Sequence, residues 1–145
     1  MLSRFVKKWA SADYPTECLS EADLRVVEER FGLQLPEDYR QAVIEVGLPR
    51  PTIALMDAIV DRGLDLHSVG DFFSPVEMIE ETVAWRELGM PEHMIAFASD
   101  GCGNKFCFSG ANGAAIWFFD HDFGTIECIA PSFTQWIRTY SDIPG

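Results

Sequence analysis

Positive charge is scarce in this chain: 11 Lys and Arg stand against 23 Asp and Glu, for a formal net charge of -12 at pH 7. Binding to nucleic acid draws on Lys and Arg to displace phosphate counterions, so the balance argues against direct nucleic-acid binding; a basic protein partner is its complement, and an acidic surface that only keeps the protein dissolved is the plainer reading of charge alone. The deficit is uneven. The first twelve residues hold Arg4, Lys7 and Lys8 and no acid, whereas the stretch from Pro51 to Asn104 holds ten acids and only Arg62 and Arg86. Long hydrophobic runs are missing too. The longest, AAIWFF, has six residues, against the roughly 20 that a membrane helix needs. Lys7 and Lys8 interrupt the N-terminal apolar stretch before it reaches the length of a secretory signal. A soluble, cytoplasmic protein with no membrane partner is expected. The four cysteines, Cys18, Cys102, Cys107 and Cys128, make no C-x-x-C pair and no dense framework, which excludes a disulfide scaffold and a zinc knuckle. Repeats, low-complexity tracts and linker-like Ser, Gly or Pro runs are absent, so residues 1–145 are expected to form one domain.

What the chain does have is apolar mass: 48% hydrophobic residues, with 11 Phe and 4 Trp. A domain of this length buries roughly 70% of its unfolded surface and can sustain a core without staples. Helical signals fill the first third. A basic amphipathic segment runs from Leu2 to about Ala12. Ser20 and Asp23 form a capping box for a second helix with Leu24, Val27 and Phe31 on one face, and Gly32 ends it. In LQLPEDYRQAVIEVG, Pro36 opens a helix whose stripe is Tyr39, Ala42, Val43 and Val46, stopped by Gly47. TIALMDAIVD shows no period because its apolar residues are nearly continuous, and it is assigned to a strand. PVEMIEETVAWREL reads as a helix with Val76, Ile79 and Val83 inward and Glu77, Glu80, Glu81 and Glu87 outward.

Beyond Met94 the pattern changes to four apolar runs, MIAFAS, KFCFS, AAIWFF and TIECIA, spaced about ten residues apart with turn residues between. That spacing predicts an antiparallel meander. Asp100-Gly101 and Asn112-Gly113 are hairpin dipeptides, because Asp, Asn and Gly accept left-handed backbone. A phosphate-binding glycine loop would open into a helix, and these glycines lead into strands. PSFTQWIRTY closes the series as a helix capped by Ser132 and Gln135, with Phe133, Trp136, Ile137 and Tyr140 on one face. The fold class is therefore α+β: a mostly antiparallel sheet, the C-terminal meander, packed with N-terminal, middle and C-terminal helices.

Few residues carry chemistry. Asp120, His121 and Asp122 could serve as metal ligands or acid–base groups, but alternation along a strand lets only Asp120 and Asp122 converge without a turn. A third or fourth ligand would have to come from His67, His93 or an acid elsewhere, and no H-E-x-x-H or D-x-D-x-D-G pattern identifies it. Cys107 and Cys128 fall in strand patterns and are expected to be buried, with Cys102 exposed in a turn. Trp117 and Phe119 would face one side of the sheet and Ile116 and Phe118 the other, so both faces are apolar: either helices cover both, the commoner outcome, or part of one face is left as a binding surface. No catalytic residue, cofactor or metal site is assigned.

Taken in order, FGLQLPEDYRQAVIEVG, MIAFASDGCGNKFCFSG, AIWFFDHD and IAPSFTQWI resemble the SUKH superfamily over roughly Leu19 to Arg138. The segment from Pro49 to Phe73 has no counterpart in that pattern. The resemblance implies an α+β domain without a catalytic centre. The superfamily includes the yeast cell-wall synthesis regulator and many bacterial proteins thought to be immunity proteins, which bind and neutralise a cognate toxin, often a nuclease. The resemblance therefore implies a non-enzymatic protein-binding module, with a regulatory scaffold and a small metal-dependent hydrolase centred on Asp120, His121 and Asp122 as alternatives. Asp57, Asp61, Asp65, Glu77, Glu80 and Glu81 are the candidate interface for a basic partner, and pairing of the chain with itself is left open.

Overall fold

Helix boundaries in the first half are set by local chemistry. The structure, a computed structural model, describes residues 1–110 and 113–144. Helix α1 (Leu2–Trp9) turns Leu2, Phe5 and Trp9 inward. Helix α2 (Glu21–Phe31) starts at a reciprocal capping box between Ser20 and Asp23 and stops at Gly32, which adopts left-handed backbone. Helix α3 (Glu37–Glu45) follows Pro36 and buries Tyr39 and Val43. Ala42 and Val46 sit at the margin of that face, partly exposed.

Residues 53 to 61 correct the strand assignment: they form helix α4 (Ile53–Asp61). Leu55 and Ile59, one turn apart, enter the core, while Ile53, Met56 and Val60 point to solvent. Apolar residues on both sides of the helix erased its period from the sequence. Helix α5 (Pro75–Glu87) has the expected limits, with a Ser74–Glu77 capping box and Pro75 in its first turn. Its rotation differs from expectation. Met78 and Thr82 are buried, and Val76 is 64% exposed. The Thr82 hydroxyl accepts the backbone N–H of Ala96 at 3.0 Å, so a polar residue occupies the middle of the inward face and disguises it.

The sheet has the order β1-β2-β3-β4-β5, every pair antiparallel. The strands are β1 (Asp71–Phe72), β2 (Met94–Ser99), β3 (Lys105–Ser109), β4 (Ile116–Asp120) and β5 (Thr125–Ala130). The meander is as expected, and β1, two residues long, is an addition at its edge. The first connection is longer than a two-residue hairpin: the Asp100 carboxylate accepts the backbone N–H groups of Cys102 at 2.8 Å and Asn104 at 3.2 Å. Asn112 of the second dipeptide lies outside the described residues.

Register places Phe106 opposite Phe118 and Cys107 opposite Trp117, so alternate side chains serve two layers. On one face Phe97 stacks on Phe108 at 4.0 Å, with Tyr39 and helix α6 (Phe133–Ser141) closing over them through Phe133 and Trp136. On the other, Trp85 of α5 meets Phe119 edge-on at 6.2 Å. Each side chain fully withdrawn from water in these layers contributes roughly 1.5–3 kcal/mol. The basic N-terminus has a structural task. Trp9 donates its indole N–H to the Tyr140 carbonyl at 2.9 Å, Arg4 reaches the Ser141 carbonyl at 3.1 Å, and Lys8 bonds the Ser141 and Ile143 carbonyls. These cations satisfy the orphan carbonyls and negative dipole at the end of α6.

Candidate functional site

The surface of α4 stands out. Ile53, Met56 and Val60 recur at helical spacing and are 67%, 43% and 70% exposed, an apolar stripe turned to water. Asp57 and Asp61 accompany it and line a shallow groove with Trp9 and Arg62. An apolar strip beside charge is the anatomy of a protein interface, with a core that excludes water and a rim that orients. The sequence held this signal, since the spacing of the three residues is explicit once the segment is read as a helix.

The six acids expected to form one interface lie at several places. Asp57 and Asp61 are on α4, and Asp65 lines a separate pocket with Trp136 and Tyr140. Glu77 and Glu81 have local tasks: Glu77 accepts the Ser74 backbone N–H at 2.9 Å, and Glu81 accepts the Trp85 indole N–H at 3.0 Å. Glu80 is exposed on α5. Glu77 also reaches a cleft of about 620 Å³ that Glu17, Arg50 and Asp71 share. Loss of water raises the Asp71 carboxyl above its ordinary range, the nearby Glu77 and Glu81 carboxylates add to this, and Arg50 opposes it. Glu17 and Asp71 lie in non-helical segments with no periodic signal, and sequence reasoning passed over them.

Asp120, His121 and Asp122 do converge, with ligand atoms within 4.8 Å of one another, because the turn after β4 breaks strand alternation. Their bonds are those of a fastened turn. Asp120 accepts the backbone N–H groups of Asp122 at 2.9 Å and Phe123 at 3.3 Å. The Asn104 side-chain oxygen accepts the His121 backbone N–H at 3.0 Å and lies 2.7 Å from Nδ1, so Nδ1 carries the proton. Among the cysteines, Cys107 is buried and its thiol pushed up by loss of water, while Cys18, Cys102 and Cys128 are exposed. Cys128 corrects the burial expectation: β5 is the last strand of the sheet, and Thr125, Glu127 and Cys128 on it are exposed.

The ordered set of capped helices, meander and closing aromatic helix matches a known sequence pattern. The sequence model of the SMI1 / KNR4 family (SUKH-1) fits residues 18–139. The chain belongs to this family. SMI1 / KNR4 domains include toxin-immunity proteins, bind partner proteins and are generally non-catalytic. A crystal structure of a protein from Pseudomonas syringae pv. tomato superposes with a TM-score of 0.61 over 95% of this chain and 96% of that chain, at 14% identity. That likeness is of fold. No curated protein matches the chain significantly. Among the described residues, no helix of this SMI1 / KNR4 domain is long and apolar enough to cross a membrane.

Proposed function

We propose that this SMI1 / KNR4 domain is a non-enzymatic immunity protein that acts in the cytoplasm by binding and neutralising a cognate toxin with a basic surface, such as a nuclease. The observation that supports this reading is the α4 face, where Ile53, Met56 and Val60 stand exposed beside Asp57 and Asp61. Desolvating the three apolar side chains supplies affinity, and the carboxylates fix orientation against Lys and Arg of the partner. A nuclease presents such cations because it grips phosphates, and an acidic protein seated on them competes with its substrate.

The test is coexpression with the toxin encoded beside this gene, scored by survival and by copurification. The expected result is protection by the native chain and loss of protection by the double variant Ile53→Asp, Val60→Asp. Both side chains already face water, so thermal unfolding should move little. Failure to protect against any neighbouring toxin would remove the immunity reading. Full protection by the double variant would remove α4 from the interface. Copurification of a resident cellular protein in place of a toxin would favour a regulatory scaffold.

A further inference from the structure

Strand β5 ends the sheet. One of its sides pairs with β4, and among the described residues no strand, bridge or backbone hydrogen bond engages the other. Exposed edges are normally guarded by Lys, by Pro or by inward charge. The sequence of β5, TIECIA, has no Lys and no Pro, and its one charge, Glu127, faces water. A register shift against Ile116 and Trp117 confines irregularity to the C-terminal end, leaving Thr125 to Cys128 in regular extension. At the opposite edge β1 has only two residues. A strand-length free ladder therefore exists at β5.

Beside this edge lies a pocket of about 270 Å³. Its apolar sides are the half-buried Leu66 and Ile129, set over Trp136 and Tyr140, which are 2% and 1% exposed. Asp65 and Glu127 supply acid, and no Lys or Arg lines it. The wall is fixed in advance. The His67 ring stacks on Phe118 at 3.7 Å, and the His67 carbonyl accepts the Tyr140 hydroxyl at 2.5 Å. The pocket thus offers the apolar sides of Leu66 and Ile129 for an aliphatic stem and two carboxylates for a cationic head, the two halves of a Lys or Arg side chain.

We propose that β5 accepts an extended segment of a partner protein as a sixth strand, with a Lys or Arg of that segment seated between Asp65 and Glu127. Main-chain hydrogen bonds supply affinity in this mode, and the pocket reads one side chain. The proposal rests on the protein-binding reading above and is independent of the partner being a toxin. A second copy is a poorer occupant, since pairing β5 with itself would bring two chains of net charge -12 together along strands that carry Glu127 and no cation.

Three blocked heptapeptides serve as probes against the full chain: one alternating valine and lysine, one with glutamate in place of lysine, and the lysine peptide methylated on alternate backbone nitrogens. Amide hydrogen exchange and chemical shifts give the readout. The lysine peptide is expected to protect amides from Thr125 to Cys128, and the other two to bind at least about tenfold more weakly. Asp65→Asn combined with Glu127→Gln should weaken the lysine peptide roughly five- to tenfold without shifting thermal unfolding, because both carboxylates are exposed. No binding of the lysine peptide, equal binding of either control, or shifts centred on Gly70 to Phe72 in the acidic cleft would overturn the proposal. So would sedimentation showing that a second copy holds this edge. A toxin complex in which β5 amides still exchange freely would overturn the edge and keep the immunity reading. Peptide capture as expected, with no toxin neutralised, would keep the edge and remove immunity.

Discussion

Asp71 illustrates how one side chain records its surroundings. Its carboxyl is raised by lost hydration first, with Glu77 and Glu81 adding to the effect against Arg50. A folded-state value above the unfolded one means that the folded chain holds the proton more tightly. This contribution to stability is present below the unfolded value and is lost as pH rises through the folded value. Asp71→Asn should therefore raise the unfolding temperature at pH 7, and the gain should vanish as pH falls below about 4, where aspartate is protonated in both states. An unchanged difference between the two pH values would show that the charge is not the cause. Gly47 makes a backbone argument. Its φ is +95, and a Cβ there would meet the Glu17 carbonyl oxygen at 2.8 Å and Thr16 Cβ at 2.9 Å. Gly47→Ala should cost about 2–4 kcal/mol in denaturant unfolding, strain and clash together. A loss under about 0.5 kcal/mol, the size of an ordinary surface change, would show that the Thr16–Glu17 segment packed on Gly47 yields easily.

Among the elements, α2, α5 and α6 were legible because their starts are written in adjacent residues. Ser74 caps α5 by accepting the Glu77 backbone N–H at 3.3 Å, and Glu77 returns the bond to the Ser74 backbone N–H. Ser74→Ala should destabilise the domain by about 1 kcal/mol, measured as a shift in denaturant midpoint with unchanged slope. The meander was legible for the same reason, since turn residues recur at a strand's spacing. Rotation and environment were not local. Met78 and Thr82 face inward because α5 must bond Ala96 on β2, a partner fourteen residues away. Lys105, at the start of KFCFS, is buried with Nζ 2.8 Å from the Gly103 carbonyl and 4.6 Å from the Trp85 ring. The α4 surface was hidden by the same property that makes it a candidate interface, apolar residues on the side away from the core. The six acidic candidates were grouped as one interface, and their division among three surfaces depends on how helices and loops pack, which no spacing records.

At the scale of the whole molecule the charge acts as a field. A net charge of -12 on 145 residues should steer a basic partner, so the association rate should fall by roughly tenfold or more between low and near-molar ionic strength. Reversal of Asp57 and Asp61 to Lys should lower the rate at low salt and leave dissociation less affected, as read by stopped-flow mixing with the partner. A rate indifferent to salt would assign recognition to shape and apolar contact. The junction of α1 with α6 has a different consequence. The ribosome makes Trp9 more than a hundred residues before its acceptor, the Tyr140 carbonyl. Until α6 emerges, Trp9 lacks its acceptor and Phe5 lacks Tyr140, one of its two aromatic neighbours, and a chaperone that shields nascent chains would find a client segment there.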